Sequence, residues 1–165
     1  MTQTKPTFAK PTFAPKNPDY ETRVRDSFNR QPFMHHCNIT MPVVEPGYVE
    51  MRVDHDHALT QQHGFLHGGL VGTVADCTAG YAAFSLMRAE DSVITVEYKI
   101  NMLAPAHGST MLGRSRVIRA GGSLMICQSD LYVLNGAGDA ATEKHCATAL
   151  VTLMVLKNTP DAPPE

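Results

Sequence analysis

Twenty consecutive residues, Gly68 to Met87, carry a single charge, Asp76. The stretch is made of Gly, Ala and other small or apolar residues, so a helix there is apolar nearly all round and has to be covered on most sides. A lipid bilayer and a sheet are the two possible covers. A carboxylate in mid-helix is expensive in lipid, and the residues that follow read as strands. From 93 to 103, Ile94, Val96, Tyr98, Ile100 and Met102 alternate with Thr95, Glu97, Lys99 and Asn101, the period of two that marks a sheet with one covered face. Strand patterns also occupy 109–118, 124–134 and 147–156. In the second of these Met125, Cys127, Leu131 and Val133 share a face, and Gly121-Gly122 and Asn135-Gly136-Ala137-Gly138 supply turns. Short connections favour antiparallel pairing among these last four strands.

Ahead of the helix, Asp19 to Arg30 reads as a shorter helix. Asp19 can cap it, Val24 and Phe28 lie on one face, and Gln31-Pro32 ends it. Strands are expected at 39–44 and 48–53, joined at Glu45-Pro46-Gly47. The fold class expected is α+β, a curled antiparallel sheet wrapped around one long buried helix.

A length of 165 residues fits one domain, with 43% hydrophobic and 18% charged residues and a net charge of -2. That balance lacks the basic face nucleic-acid binding needs. Residues 5–9 and 10–14 are both Lys-Pro-Thr-Phe-Ala, and prolines at 6, 11, 15 and 18 forbid a helix or central strand. The expected division is a disordered Pro-rich tail at 1–18, one domain at 19–156 and a flexible tail at 157–165. An arm that packs on a partner subunit through Phe8 and Phe13 is the alternative for the first tail. Cys37, Cys77, Cys127 and Cys146 form no CxxC pair, and the N-terminus reads as neither a signal nor a transit peptide. Reduced thiols in a cytoplasmic protein, with no membrane partner, are expected.

Chemistry concentrates where Gln61-Gln62-His63-Gly64-Phe65-Leu66-His67-Gly68-Gly69 runs into the helix. A helix start offers unpaired N–H groups and a positive dipole end, and glycines let a ligand approach the backbone. Such a place suits a carbonyl oxygen that gains negative charge. It equally suits a tight turn that needs glycine for packing. Asp76 is costly to bury unless paired or used; it is either tied to a neighbouring strand or subunit, or a base or nucleophile. His55-Asp56-His57, His63-x-x-x-His67 and His35-His36-Cys37 hold metal-ligand atoms but no standard zinc spacing, so neither a metal nor a cofactor is expected.

His-Gly-Gly with Asp nine residues after the His, followed by Thr-Val-Glu-Tyr-Lys-Ile-Asn-Met-Leu-Ala-Pro-Ala, resembles the hotdog-fold thioesterases of the PaaI (phenylacetate-pathway) type. The likeness runs from about Phe33 to Leu156 and includes the Arg119-x-Gly121 turn. It implies hydrolysis of an acyl-CoA thioester to free acid and CoA. Asp76 would activate water or attack the carbonyl carbon, and the Gly68 N–H would polarise the carbonyl. Gly69 would support the turn, His67 would lie beside the sulfur, and Thr95 would help hold the water. Gln61 stands where many members carry Asn. Gly122 and Ser123 stand where relatives often carry Lys or Arg, so Arg119 near Gly121, Arg116, Arg114 and Lys99 are either substitutes that hold the CoA phosphates or plain solvated surface charges. By strand parity Thr95 lies with Glu97 and Lys99, away from Ile94 and Val96, and reaches a site only if a partner subunit covers that face. Phe65, Leu66, Tyr81 and Phe84 are candidates either for an apolar acyl pocket or for plain core packing.

Asp76 lies eight residues beyond Gly68, about 12 Å along a helix axis. No carboxylate side chain spans that gap, so the implied site has to be shared across a two-fold axis of a homodimer or homotetramer. The rival functions are a non-catalytic acyl-CoA-binding or regulatory hotdog protein and a hotdog dehydratase or hydratase.

Overall fold

The computed structural model describes residues 12–135 and 142–162. Its elements are α1 (Tyr20–Asn29), α2 (Pro32–His36), β1 (Thr40–Glu45), β2 (Tyr48–Asp54), a 3-10 turn (His57–Leu59), α3 (Gly68–Phe84), β3 (Ser92–Met102), β4 (Thr110–Ala120), β5 (Leu124–Asn135) and β6 (Thr142–Leu156). The strands form one six-stranded antiparallel sheet in the order β1-β2-β4-β5-β6-β3, with α3 against its concave face. This is the hotdog arrangement, a sheet curled around one helix. Among the described residues no helix is long and apolar enough to cross a membrane. The turn expected at Asn135 to Gly138 lies mostly outside the described residues.

Helix and sheet approach most closely over β4 and β5. Gly113 of β4 lies so near α3 that an added Cβ would stand 2.6 Å from Val74 Cγ1 and 3.1 Å from Thr78 Oγ1. One strand over, Ser129 Oγ donates to the Ala75 carbonyl at 2.6 Å and shares a hydrogen bond with Ser115 Oγ. Both serines are buried, and their mutual bond lets the sheet carry hydroxyls beneath the helix without an unpaired polar group. Met125, Cys127, Leu131 and Val133 all point into this core, on the face their spacing predicts.

Sequence neighbours are not always sheet neighbours. β3 does not pair with β4: it crosses to the far edge and pairs with β6. The link from Leu103 to Ser109 contains Pro105 and is no tight hairpin. It is held instead by Leu66 N–H to the Ala106 carbonyl and by Leu103 and Ala104 N–H to the Cys146 carbonyl.

The even alternation read along β3 is broken in the structure. Thr95 pairs with Leu153 and Glu97 with Thr152, so Val96 is the extra residue of a β-bulge. Before the bulge Thr95 stands opposite buried Leu153; after it Tyr98, Ile100 and Met102 stand opposite buried Val151, Ala149 and Ala147. Thr95 therefore faces the helix, and Ile94 does not. This corrects the parity argument: one inserted residue exchanges the faces of everything beyond it.

Other local differences have simple causes. Asp19 occupies the N-cap of α1 but its side chain makes no cap bond; its own N–H donates to Asn17 Oδ1 at 3.1 Å. After Gln31 a second helical turn, α2, begins on Pro32, whose fixed φ suits a first helical position. Parts of both expected tails lie among the described residues. Residues 12–18 form no helix or strand, yet the Phe13 ring lies against the β1–β2 turn, where Gly47 takes φ +75°, and packs on the core. Past β6, Asp161 is tied to Arg30 at 2.6 Å. Residues 1–11 lie outside those described.

The contact at Gly113 yields a direct test. Gly113→Ala should destabilise the protein by about 1–3 kcal/mol, the usual cost of overpacking a tight core, read as a lower urea midpoint with unchanged slope. Wild-type stability would mean that α3 can lift off β4 freely.

Candidate active site

Helix α3 begins at Gly68 because His67 caps it. His67 has extended backbone (φ -63°, ψ 138°) and its Nδ1 accepts from Gly69 N–H at 2.9 Å. Val71 N–H is taken by the His67 carbonyl. The Gly69 amide is thus spent inside the chain, so this glycine helps build the helix start and does not offer its N–H to a ligand. Gly68 N–H, by contrast, has no acceptor among the described residues. A free N–H at a helix start, backed by the helix dipole, favours an oxygen that carries negative charge.

The loop ahead of the helix closes on itself. Gln61 N–H donates to the Phe65 carbonyl and Gly64 N–H to the Gln61 carbonyl, both at 2.9 Å, and Gln61 Oε1 accepts from His63 N–H. That use of Oε1 leaves the Gln61 amide NH2 as a donor. Gln61, Phe65, Leu66 and Gly68 then line one cavity of about 430 Å³, walled on the other side by Met102 and the Ala104–Ala106 link. The Phe65 ring is set edge-on against His107 at 5.6 Å.

Asp76 lies in a different place. It faces the open side of α3, half-buried, and Thr95 Oγ1 donates to its Oδ1 at 2.8 Å. The bulge at Val96 makes this bond possible within one chain, so no partner is needed to bring Thr95 to Asp76. Around the pair is a cavity of about 280 Å³ lined also by Ser27, Gln31, Cys77 and Tyr81. Burial raises the Asp76 pKa above its ordinary 3.8, with the Thr95 hydrogen bond pulling the other way. Burial also pushes the Cys77 thiol up to about 12, with the Asp76 charge and Cys37 adding to it. A thiol held neutral is a poor nucleophile, so Cys77 is no rival to the carboxylate beside it.

The two cavities have no lining residue in common. The structure thus brings Asp76 to Thr95, and Gln61 and Phe65 to Gly68, but does not bring one set to the other. Arg119 and Gly121 line neither cavity; they sit at the β4–β5 hairpin, where Gly121 N–H donates to the Leu124 carbonyl at 3.0 Å. Phe84 is a core residue with the Arg23 guanidinium stacked 3.9 Å over its ring. Ser27 and Gln31 had no signal of their own in the sequence, because they read only as the end of a short helix. Among the described residues no cluster of three or more His, Cys, Asp or Glu forms a metal site.

Comparison with known proteins gives the family. Residues 63–140 match the family model described as the thioesterase superfamily. The chain is 44% identical to a thioesterase family protein from Silicibacter pomeroyi, superposing with a TM-score of 0.80 over 84% of this chain and 98% of that one. A thioesterase from Haemophilus influenzae superposes at 0.72, with 20% identity over 92% of this chain and 96% of the other. The E. coli PaaI protein, from the phenylacetic acid degradation operon, superposes at 0.73, with 14% identity over 87% and 98%. The chain belongs to the thioesterase superfamily.

The state of Asp76 can be read through stability. A raised pKa means that the folded chain holds this proton more tightly than the unfolded one. The stabilising effect is full below the ordinary value of 3.8 and is lost as pH rises through the folded value. Asp76→Asn carries no charge at any pH. It should therefore melt higher than wild type at neutral pH, with the gap shrinking on acidification. Equal melting temperatures at neutral pH would show that burial does not penalise the carboxylate.

Proposed function

We propose that the protein hydrolyses an acyl-CoA thioester at a site completed by two subunits. The observation that carries this reading is the separation of the two cavities along α3. Gly68 and Asp76 are eight residues apart, about 12 Å along the axis, too far to hold one carbonyl group between them. A second α3 running antiparallel across a two-fold axis brings the partner's carboxylate to this helix start, twice by symmetry.

The surface beside α3 supports such a partner. β3 is an edge strand, and its helix-side residues Tyr98 and Met102 remain 45% and 52% exposed. Next to them the open side of α3 presents Gly69, Thr73, Asp76, Cys77 and Gly80, small residues that allow a second helix close. An exposed apolar edge strand invites pairing.

In the proposed reaction the Gly68 N–H, with the Gln61 amide near it, receives the thioester oxygen. Thr95 occupies Asp76 Oδ1, which leaves Oδ2 to take a proton from water, while a Thr95 lone pair helps hold that water. The water oxygen bonds to the carbonyl carbon and charge moves to the oxygen at Gly68. When the oxyanion collapses the C–S bond breaks, and the CoA sulfur leaves with the proton held by Asp76. The raised pKa of Asp76 supports this role, since a stronger base takes the proton more readily.

Asp76→Ala should lose about a hundred- to ten-thousand-fold in turnover of its best acyl-CoA while remaining folded. The shared site is tested by pairing it with Gln61→Ala, given that this variant too is inactive alone. Co-expressed with two tags and purified as the mixed dimer, the pair has one intact and one doubly damaged site, so about half of wild-type activity should return. A mixed dimer as inactive as its parents would mean that each site is built from one chain.

The pH profile tests Thr95. The ionised carboxylate is the active form, so activity falls on the acid side as Asp76 takes up a proton. Thr95→Val removes a donor that favours the ionised form. The acid limb should therefore move to higher pH. An unmoved limb would assign that limb to another group.

A further inference from the structure

Beyond β6 the chain turns at Asn158, whose φ of +50° lies in the left-handed region, and runs from the sheet edge to the end of α1. Two clasps hold it. At the turn Asn158 N–H donates to Asp91 Oδ1 at 3.2 Å, and Asp91 is itself buried and held twice by Arg88, at 2.7 and 2.9 Å. Farther on, Arg30 Nη2 donates to the Asp161 carbonyl at 2.7 Å and to its carboxylate at 2.6 Å. The second clasp is the weaker, because its side chains are 48% and 29% exposed and an exposed ion pair stabilises little. None of residues 157–162 is buried. A segment held by exposed polar bonds, without apolar burial, opens at low cost.

What lies beneath this segment gives it a role. Asp161, Ser27 and Gln31 wall the cavity that holds Asp76. The same three residues line a larger groove of about 660 Å³, bounded by residues 159–162, the end of α1, and the Ser92–Leu156 pair at the sheet edge. Cavity and groove therefore adjoin at Asp161. The Asp76 cavity, at about 280 Å³, has no room for CoA. In the reaction above CoA thus lies toward the partner's helix start, and once the C–S bond has broken the acid stands behind it. In the groove that acid meets one cation among the described lining residues, Arg30, which already pairs with a carboxylate in Asp161.

Resting on the hydrolytic reading above, we propose that residues 159–162 are a strap, hinged at Asn158 and latched by Asp161 on Arg30, that closes a second opening of the Asp76 cavity. When the latch opens, the acid leaves under the strap without waiting for CoA to go, and its carboxylate takes the place of Asp161 on Arg30 as it passes. Pro160 stiffens the strap, so little chain entropy is lost when it closes again. Arg30 and Asp161 control passage, and neither enters the chemistry.

Cys77 reports on the strap, because it lines the Asp76 cavity while the other three cysteines are buried. Its alkylation by N-ethylmaleimide is timed by mass spectrometry on the full-length protein, at one pH so that its raised thiol pKa affects every sample alike. Asp161→Asn and Arg30→Gln should each speed the labelling about two- to fivefold, the scale of one exposed ion pair. Deleting 159–165 should speed it further and leaves the Asn158 hinge in place. Salt at about 1 M should speed wild type in the same way and Asp161→Asn hardly at all. Unchanged labelling of the other cysteines shows that a variant is folded. Equal rates in wild type and the latch variants, or no labelling even after the deletion, would overturn the strap. Saturating CoA, its binding followed by calorimetry, locates the opening. Labelling of the latch variants should persist, since the reagent enters behind CoA. Labelling blocked by CoA, or CoA that does not bind and so leaves nothing to bypass, would overturn the exit. None of these rates depends on hydrolysis. A working strap on a protein that hydrolyses no acyl-CoA would overturn the hydrolytic reading and leave the strap standing. Turnover with labelling indifferent to the latch would do the reverse.

Discussion

The structure depends on how closely α3 can lie on its sheet. A helix with no polar face except one carboxylate must be buried along most of its length, and the sheet curls so that four of its strands and the β3 edge can reach it. Gly113 provides the space and Ser129 the hydrogen bond that sets the helix at Ala75, one residue before Asp76. Through that pair of contacts, core packing also determines where the carboxylate points. Because both contacts lie on the covered side, the opposite side of α3, with Asp76, is left open.

That open side carries an energetic conflict. Asp76 sits where burial disfavours its charge, and only Thr95 among the described side chains donates to it. A residue chosen for stability alone would not be a half-buried carboxylate with one hydrogen bond. Functional sites often keep such local costs. The proposed two-fold site puts the cost to use: the group whose charge the fold penalises is the one asked to take a proton.

The bulge at Val96 connects these themes. Without an extra residue there, Thr95 would point outward with Glu97, and Asp76 would lose its donor. With it, the second half of β3 turns Tyr98 and Met102 toward the helix flank, where they remain exposed. One irregularity thus serves the carboxylate and shapes the edge on which the proposed partner would lie. A bulge leaves no composition or spacing signal of its own, since the apolar alternation from Ile94 to Met102 runs evenly through it.

Local pattern by itself determined the element order, the buried helix, the inward face of β5 and the special character of the Gly68 helix start and Asp76. These follow from short-range rules: a helix without polar residues needs cover, alternating residues take opposite faces, and a lone carboxylate in an apolar run has to be explained. Spacing along one helix even separated Gly68 from Asp76, because a helical rise is constant. Tertiary structure decided what depends on distant segments meeting. It placed β3 beside β6 instead of β4, turned Thr95 to Asp76, and used His67 as a cap that consumes the Gly69 amide. It also carried Ser27 and Gln31, about fifty residues away in sequence, to the Tyr81 hydroxyl. Such contacts are set by how whole elements pack, and no window of neighbouring residues contains them.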